Sequence, residues 1–409
     1  MSVTLGKTKK TPIKSKGITR TTTKSWDSDK DMDRPWSVFG DRKLREKKGS
    51  YTHVSLFSGV GGIDLGLRAA GFRTVWANDI DPDACETFRE NLGEISEADI
   101  TKMTLPDVGE VDVISAGFPC QPFSNAGSRK GVSDARGGLF NFALNAVETY
   151  KPKVVLFENV RGLLSVKLGN DLLIKEILDR LHKLGYDCQF KLVDASNHRV
   201  PQKRLRLIIV GVKSDAGLAS FRFPQEKWRH DLTLEHTIFD LVDLVPNQTE
   251  IMQLNPQAIH LGSMVPEGGS WKNIPYSELP DRWKHISDNI ERYRWPNFYR
   301  RFHRSEIAGT ITAAFKPENA GVWHPRHNRI FSVREVARIQ SFPDWFVFGG
   351  RSVKSKYQQI GNAVPPRLAY EVGLEIINTL EGHRPTTFDH FLETKKPLKP
   401  SDKPVHYRP

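Results

Sequence analysis

Cysteine is scarce in this chain, and the three present in 409 residues exclude a disulfide-stapled fold. Cys85, Cys120 and Cys188 are also too scattered to form a dedicated zinc site, so no metal is expected. Long apolar runs are missing, which excludes a membrane-spanning helix, and the first residues lack the apolar stretch of a secretory signal. A reducing, cytoplasmic setting is expected. Acidic residues are absent from positions 1 to 24, which carry Lys7, Lys9, Lys10, Lys14, Lys16, Arg20 and Lys24 among many Ser and Thr. That composition predicts a disordered basic arm over residues 1–50, serving solubility or phosphate contact. The whole chain carries a formal net charge of +12, a surplus that favours a polyanionic partner, nucleic acid first.

From Tyr51 the pattern turns regular. T-H-V-S-L-F reads as a strand, and G-V-G-G-I-D-L-G-L-R-A-A-G-F as a glycine turn opening a helix. T-V-W-A-N-D, D-V-I-S-A, V-V-L-F-E-N, Y-D-C-Q-F-K-L-V-D and R-L-R-L-I-I-V-G read as further strands, most of the gaps between them holding helical patterns. This alternation predicts a three-layer α/β domain with a mostly parallel sheet over 51–212, binding its ligand beyond the carboxyl ends of the strands. The rhythm stops at 213–303, which reads as a smaller irregular domain containing Trp228, Trp271, Trp283 and Trp295, expected mainly in its core. Regularity returns over 304–380. Ser332 is placed as a helix N-cap with Glu335 at the capping-box position, and Pro365–Pro366 open a last helix. Residues 381–409, rich in Pro and Lys, read as a loose tail. No internal repeat is visible.

Several residues in this frame carry chemistry. F-S-G-V-G-G, 57–62, joins the first strand to the first helix with glycines that let the backbone approach a ligand. Asp79 ends the second strand, at close to the spacing of about twenty residues that places an acid on a ribose diol. Asp99 follows and suits an amine, whereas Asp81, Asp83 and Asp107 read as solvated acids. In D-V-I-S-A-G-F-P-C-Q-P-F-S, Pro119 and Pro122 bracket Cys120 on a loop after a buried strand, the restriction a thiol needs if it is to be aimed. Cys85, in a helix pattern, and Cys188, in a strand pattern, read as core. Glu158 stands at the end of a buried strand, where burial raises a carboxyl pKa and allows proton donation. Arg204 and Arg206, two apart at a strand start, face the same side and suit a phosphate or a nucleobase carbonyl.

These segments resemble, in order and wording, the DNA cytosine-5 methyltransferases of prokaryotic restriction–modification type. The resemblance runs over roughly 51 to 378, apart from the 213–303 insert. It is carried by F-S-G-V-G-G, G-F-P-C-Q-P-F-S, E-N-V, Q-K-R-L-R, S-V-R-E-V-A-R-I-Q-S-F-P-D and Q-Q-I-G-N-A-V-P-P. It implies a Rossmann-like methyltransferase domain that uses S-adenosylmethionine, with 213–303 as a target-recognition domain on double-stranded DNA. Cys120 is then the nucleophile toward C6 of cytosine, Glu158 contacts N3 and the exocyclic amine, and Arg206, with Arg204 behind it, holds the pyrimidine or its phosphate. Phe57, Gly59, Gly61 and Gly62 line the cofactor pocket, Asp79 holds the ribose and Asp99 the adenine amine. Leu139 and Asn362 to Val364 close it. Family members commonly carry glutamate at Asp79 and tryptophan at Ile80, so this chain has a shorter acid and only aliphatic packing for the adenine.

The chemistry requires these types. Thiolate addition at C6 makes C5 nucleophilic, and the target base must leave the stack to be reached. Gly127, Arg129, Gly131 and Asp134 to Gly138 read as a loop that closes over it. In the insert, Lys227, Arg229, Gln248, Gln253, Lys272, Arg282, Arg292, Arg294, Arg300 and Arg301 are available for DNA, mostly for phosphate. The resemblance further implies a monomer and a cognate restriction endonuclease acting on the same site. A tRNA cytosine-5 methyltransferase would share the catalytic set but has a shorter recognition region. A catalytically silent DNA-binding module would not need Cys120, Glu158 and the glycine loop intact.

Overall fold

Glycine and proline turns cut the apolar runs of the first half into the expected α/β order. A computed structural model describes residues 34–40, 49–119, 138–168, 171–226, 232–289, 298–318, 321–383, 391–392 and 404–407. β1 (Tyr51–Leu56), α1 (Gly62–Ala70), β2 (Phe72–Asp79), α2 (Pro82–Leu92), β3 (Ser96–Glu97) and β4 (Val113–Ala116) come first. α3 (Leu139–Tyr150), β5 (Val154–Val160), a small pair β6 (Lys167–Leu168) and β7 (Asp171–Leu172), α4 (Leu173–Lys183), β8 (Tyr186–Asp194) and β9 (Leu205–Lys213) follow. Local chemistry sets the helix ends. The Asp81 carboxylate accepts from Asp83 N and Ala84 N, and Pro82 occupies the first turn, where its missing N–H costs nothing.

The main sheet has nine strands in the order β10–β11–β8–β9–β5–β4–β1–β2–β3, with β10 at Phe391–Leu392 and β11 at Val405–Tyr407. β3, β2, β1, β4 and β5 run parallel, while β9, β8 and β11 are antiparallel to their inner neighbours. β1 lies between β2 and β4, so the chain reverses its direction of travel across the sheet there. The loops after β1 and β4 therefore open a crevice at the carboxyl edge. On one face α1 packs against α10 (Pro366–Leu380). A Cβ added to Gly66 would stand 2.5 Å from Ala369 Cβ and from Pro366 O, so only glycine permits this approach. The other face is covered by α3 and α4, with Leu144, Val147, Ile177 and Leu181 in the apolar layer.

The insert holds α5 (Leu234–Ile238), α6 (Pro256–Ser263) and α7 (Asp281–Asp288), joined by loops. Trp271 and Trp283 are buried, and Trp283 meets Phe298 and Tyr299 with ring centroids 4.6 Å apart in each case. This apolar layer is continuous with α8 (Val333–Ile339), α9 (Val353–Asn362) and α2. Trp228 and Trp295 lie outside the described residues. Ser332 caps α8, and its capping box with Glu335 is complete. The stretch 304–313 forms only an isolated bridge at Ala308.

Four expectations need correction. Residues 35–40 are not loose: Phe39 is fully buried, Trp345 Nε1 donates to Gly40 O at 2.9 Å, and the Arg338 guanidinium lies 4.9 Å from the Trp36 ring centre. Nor are residues 405–407, since β11 adds to β8 with Val405, His406 and Tyr407 all buried and Tyr407 Oη bonded to Asp179. A strand can be added there because β8 would otherwise be an unpaired edge. Asp83 is buried rather than solvated, and it holds Ser355 Oγ and Arg351 Nε. Lastly, Gln248, Arg300 and Arg301 serve the protein itself. Arg301 is buried and donates to Val265 O (2.8 Å), Gly262 O (2.9 Å) and His327 O (2.7 Å), Gln248 bonds Ser332, and Arg300 holds Glu306.

Deletion of residues 404–409 is expected to lower unfolding free energy by about 3 kcal/mol, the value of two large buried side chains. A lower urea midpoint, together with association through the bared β8 edge, would register it. An unchanged midpoint would mean that β11 contributes nothing.

Candidate active site

The crevice at the carboxyl edge of the sheet is a cavity of about 970 Å³. That is large enough for a nucleoside-sized ligand together with a neighbouring group. Its wall begins in the turn after β1. Phe57, Gly59 and Gly61 all adopt positive φ, at 54°, 54° and 83°. Such a conformation is ordinary for glycine but strained for phenylalanine, and strain of this kind collects at ligand loops. Gly62 must also be glycine, because a Cβ there would stand 2.3 Å from Val364 O.

Asp79 sits opposite this turn. Its carboxylate accepts from Gly59 N at 2.7 Å and from Asp81 N at 2.9 Å, leaving further lone pairs toward the cavity. Burial pushes its pKa up against those backbone bonds. The shorter acid therefore braces the glycine turn directly. Asp99 accepts from Thr101 Oγ1 at 2.7 Å and Thr101 N at 3.0 Å, bonds that hold its pKa below the usual carboxylate range. Ile80 is 63% exposed yet lines the cavity, an apolar surface offered to a flat ring. Leu139, Asn362 and Val364 line the same space. Acids for hydroxyl and amine groups, an apolar face and a glycine turn together suit S-adenosylmethionine.

The second half of the cavity is built on β5 and β9. Glu158 pairs with Ile208 and Arg206 with Val160, so the two are diagonal neighbours on this antiparallel pair, with Arg206 Nε 2.7 Å from Glu158 Oε1. Both are buried, and desolvation shifts each toward its neutral form: Glu158 is raised despite Arg206 and Arg204, and Arg206 is lowered despite Glu158. Gly117, where the loop leaves β4, stands beside Glu158; a Cβ there would be 3.6 Å from Oε2. Asn159 Nδ2 donates to Phe118 O at 2.9 Å and so pins the start of that loop. Cys120 and the closing loop at 127–137 lie outside the described residues, but Pro119, immediately before the thiol, lines the cavity.

The arginine pair faces one way, as its spacing implies, but divides its work. Arg204 is fully buried and donates to Ile311 O (2.6 Å), Gly361 O (2.8 Å) and Ala363 O (2.9 Å). It is a positioning residue that fastens Q-I-G-N-A-V and I-T-A to the wall. Gln202 reinforces it by accepting from Ile311 N at 2.8 Å. Sequence reasoning missed Thr310–Ala313, Asn159, Thr101 and Gln358, all of which line the cavity. The stretch 304–313 reads as regular, but nothing local marks Thr310–Ala313 as cavity residues; Arg204 and Gln202 hold Ile311 at the wall, and Thr310 Oγ1 donates to Lys203 O at 2.7 Å.

Gly62→Ala is expected to lower kcat/KM by about 10²-fold, because an ångström-scale displacement at Val364 misplaces the ligand. Steady-state kinetics at saturating DNA would show it, and an unaltered value would mean that the turn does not set cofactor geometry.

Among the described residues no helix is long and apolar enough to cross a membrane. Residues 51–378 match the family model of the C-5 cytosine-specific DNA methylases. Curated relatives include the type II methyltransferase M.Eco47II of Escherichia coli, 38% identical over 351 residues, covering 81% of this chain and 80% of that protein. M.NgoFVII of Neisseria gonorrhoeae is 37% identical over 336 residues, covering 79% and 86%. Among solved structures, the Entamoeba histolytica methyltransferase EhMeth matches with a TM-score of 0.55 at 17% identity, covering 81% of this chain and 98% of that one, which speaks for the fold. The chain therefore belongs to the C-5 cytosine-specific DNA methylases, enzymes that methylate DNA with S-adenosylmethionine.

Proposed function

We propose that this chain methylates C5 of a cytosine flipped out of a short specific sequence in double-stranded DNA, through a covalent bond between Cys120 and C6. The observation that carries the reading is the buried Glu158–Arg206 pair, 2.7 Å apart, in one cavity with the glycine turn and Pro119. Cys120 adds as thiolate to C6, and the displaced electron pair makes C5 a nucleophile. Glu158, with its pKa raised by burial, holds a proton toward N3 and takes up the charge that the addition creates. Arg206 fixes the Glu158 carboxyl and offers its remaining N–H groups to the base. S-adenosylmethionine, when bound, supplies a methyl group on a sulfonium, which C5 takes up. Loss of the C5 proton to a base then expels the Cys120 thiolate and restores the ring. Asp79, Asp99 and Ile80 hold the cofactor's ribose, amine and adenine face.

Residues 213–303 read the target in the major groove, where all four base pairs differ. Lys272, Arg282 and Gln253 are exposed there and free of the structural duties that hold Arg301. The enzyme works as a monomer on DNA and guards sites cut by a cognate restriction endonuclease, the expectation that the motif resemblance carries. The test is whole-genome methylation mapping in a methylation-free host expressing this chain. One short motif carrying 5-methylcytosine is expected; unmodified DNA would overturn the reading.

A further inference from the structure

Beneath the carboxyl edge of the sheet, outside the cavity, lies a set of buried polar side chains that the reaction does not use. His53, Ser55, Asp64 and Ser115 are each at most 1% exposed, and none lines the cavity. Ser55 Oγ donates to Asp64 Oδ2 at 2.8 Å, and Thr74 Oγ1 donates to Asp64 Oδ1 at 3.1 Å. His53 Nδ1 lies 3.2 Å from Thr74 Oγ1, and His53 Nε2 lies 2.8 Å from Ser115 Oγ. Because the Thr74 hydroxyl proton goes to Asp64, its oxygen must accept from His53 Nδ1–H. His53 Nε2 then accepts from Ser115. Burial keeps His53 in the neutral form that this direction requires.

The chain thus runs from Ser115 on β4 through His53 on β1 and Thr74 on β2 to Asp64 on α1, and returns to β1 at Ser55. Its ends matter. Ser55 stands two residues before Phe57, where the glycine turn begins, and Asp64 two residues after Gly62, where it ends. Ser115 stands two residues before Gly117, where the Cys120 loop leaves β4. The β1–β2 pairing slips one residue between His53 and Val54, and this irregularity sits where Thr74 reaches both His53 and Asp64. Apolar residues of similar shape would fill the same space without the cost of burying polar groups. What they could not supply is a set of directional bonds across three strands and a helix.

We propose that Ser115, His53, Thr74, Asp64 and Ser55 form a positioning network that couples the geometry of the cofactor turn to that of the strand carrying the nucleophile loop. The inference rests on the roles given above to the glycine turn and Cys120. Ser115→Ala is expected to weaken S-adenosylmethionine binding about fivefold by calorimetry, the effect of one lost hydrogen bond, although Ser115 does not line the pocket. Ser115→Thr, which keeps the hydroxyl, should stay within about twofold of wild type. Should Ser115→Ala fail to fold, Ser55→Ala and Ser55→Thr are read in the same way. Dissociation constants unchanged in the alanine variants, with only the melting temperature lowered, would reduce the network to core packing and overturn the proposal. A wild-type chain that binds S-adenosylmethionine without methylating DNA would defeat the functional reading while leaving this coupling measurable. One that does not bind it overturns both.

Discussion

Cys120→Ser is expected to lower methyl transfer to DNA by at least about 10⁴-fold, the scale of losing a covalent nucleophile. The two side chains are close in size, so the loop need not rearrange. A hydroxyl, however, is hardly ionised where a thiol can be, and it adds to C6 far more slowly. The measurement is transfer of labelled methyl from S-adenosylmethionine to DNA, with cofactor affinity measured alongside to show an intact pocket. A second readout tests the bond itself. On DNA carrying 5-fluorocytosine at the target the reaction must stall, because fluorine cannot leave C5 as a cation in place of the proton. A protein–DNA adduct that survives denaturation is expected for the intact chain and not for the variant. Substantial turnover by Cys120→Ser would sink the covalent mechanism.

Glu158→Gln should lower kcat by about 10³-fold, within the range for losing a positioned proton donor. Glutamine can still accept from Arg206 Nε, which now reaches Glu158 at 2.7 Å, so the variant should fold. Burial favours the protonated, uncharged carboxyl, so the neutral amide replaces it like for like and stability below the raised pKa should stay close to wild type. The pH dependence has a definite sign. Burial raises the Glu158 pKa, so the proton persists to higher pH than on an ordinary glutamate and is lost as pH rises through the raised value. Wild-type kcat should therefore fall on the alkaline side of that value, and the glutamine variant should lack this limb. The same sign holds for stability: the contribution of Glu158 is present at low pH and lost as it ionises in its buried setting. A variant with wild-type kcat would remove Glu158 from the chemistry.

Much of the site was legible because its residues sit at strand ends. Glu158 follows four apolar residues, and a carboxylate there could only be buried at the edge of the sheet. Arg204 and Arg206 had the same-face spacing that the structure shows, but spacing does not count hydrogen bonds. Whether a guanidinium turns to a ligand or to three carbonyls depends on Ile311, Gly361 and Ala363, more than 100 residues away in the chain. Asp83 illustrates the same limit. It looked like a solvated acid at a helix start and is buried by Arg351 and Ser355, which no local pattern announces. Charge misled in the insert for a like reason: Arg301 is a basic residue in a basic region, yet its donors close the turns around Trp323.

By itself, the sequence determined the alternation of strand and helix, the helix cap at Ser332, and the glycine turn, since these depend on neighbours within a few residues. Tertiary structure alone decided the antiparallel half of the sheet, the docking of Phe39 and of Val405–Tyr407, and the polar chain from Ser115 to Asp64. Each of those rests on partners brought together by folding. The free energy of burying a side chain or satisfying a hydrogen bond belongs to the assembled surroundings, not to the segment that supplies one side of the contact.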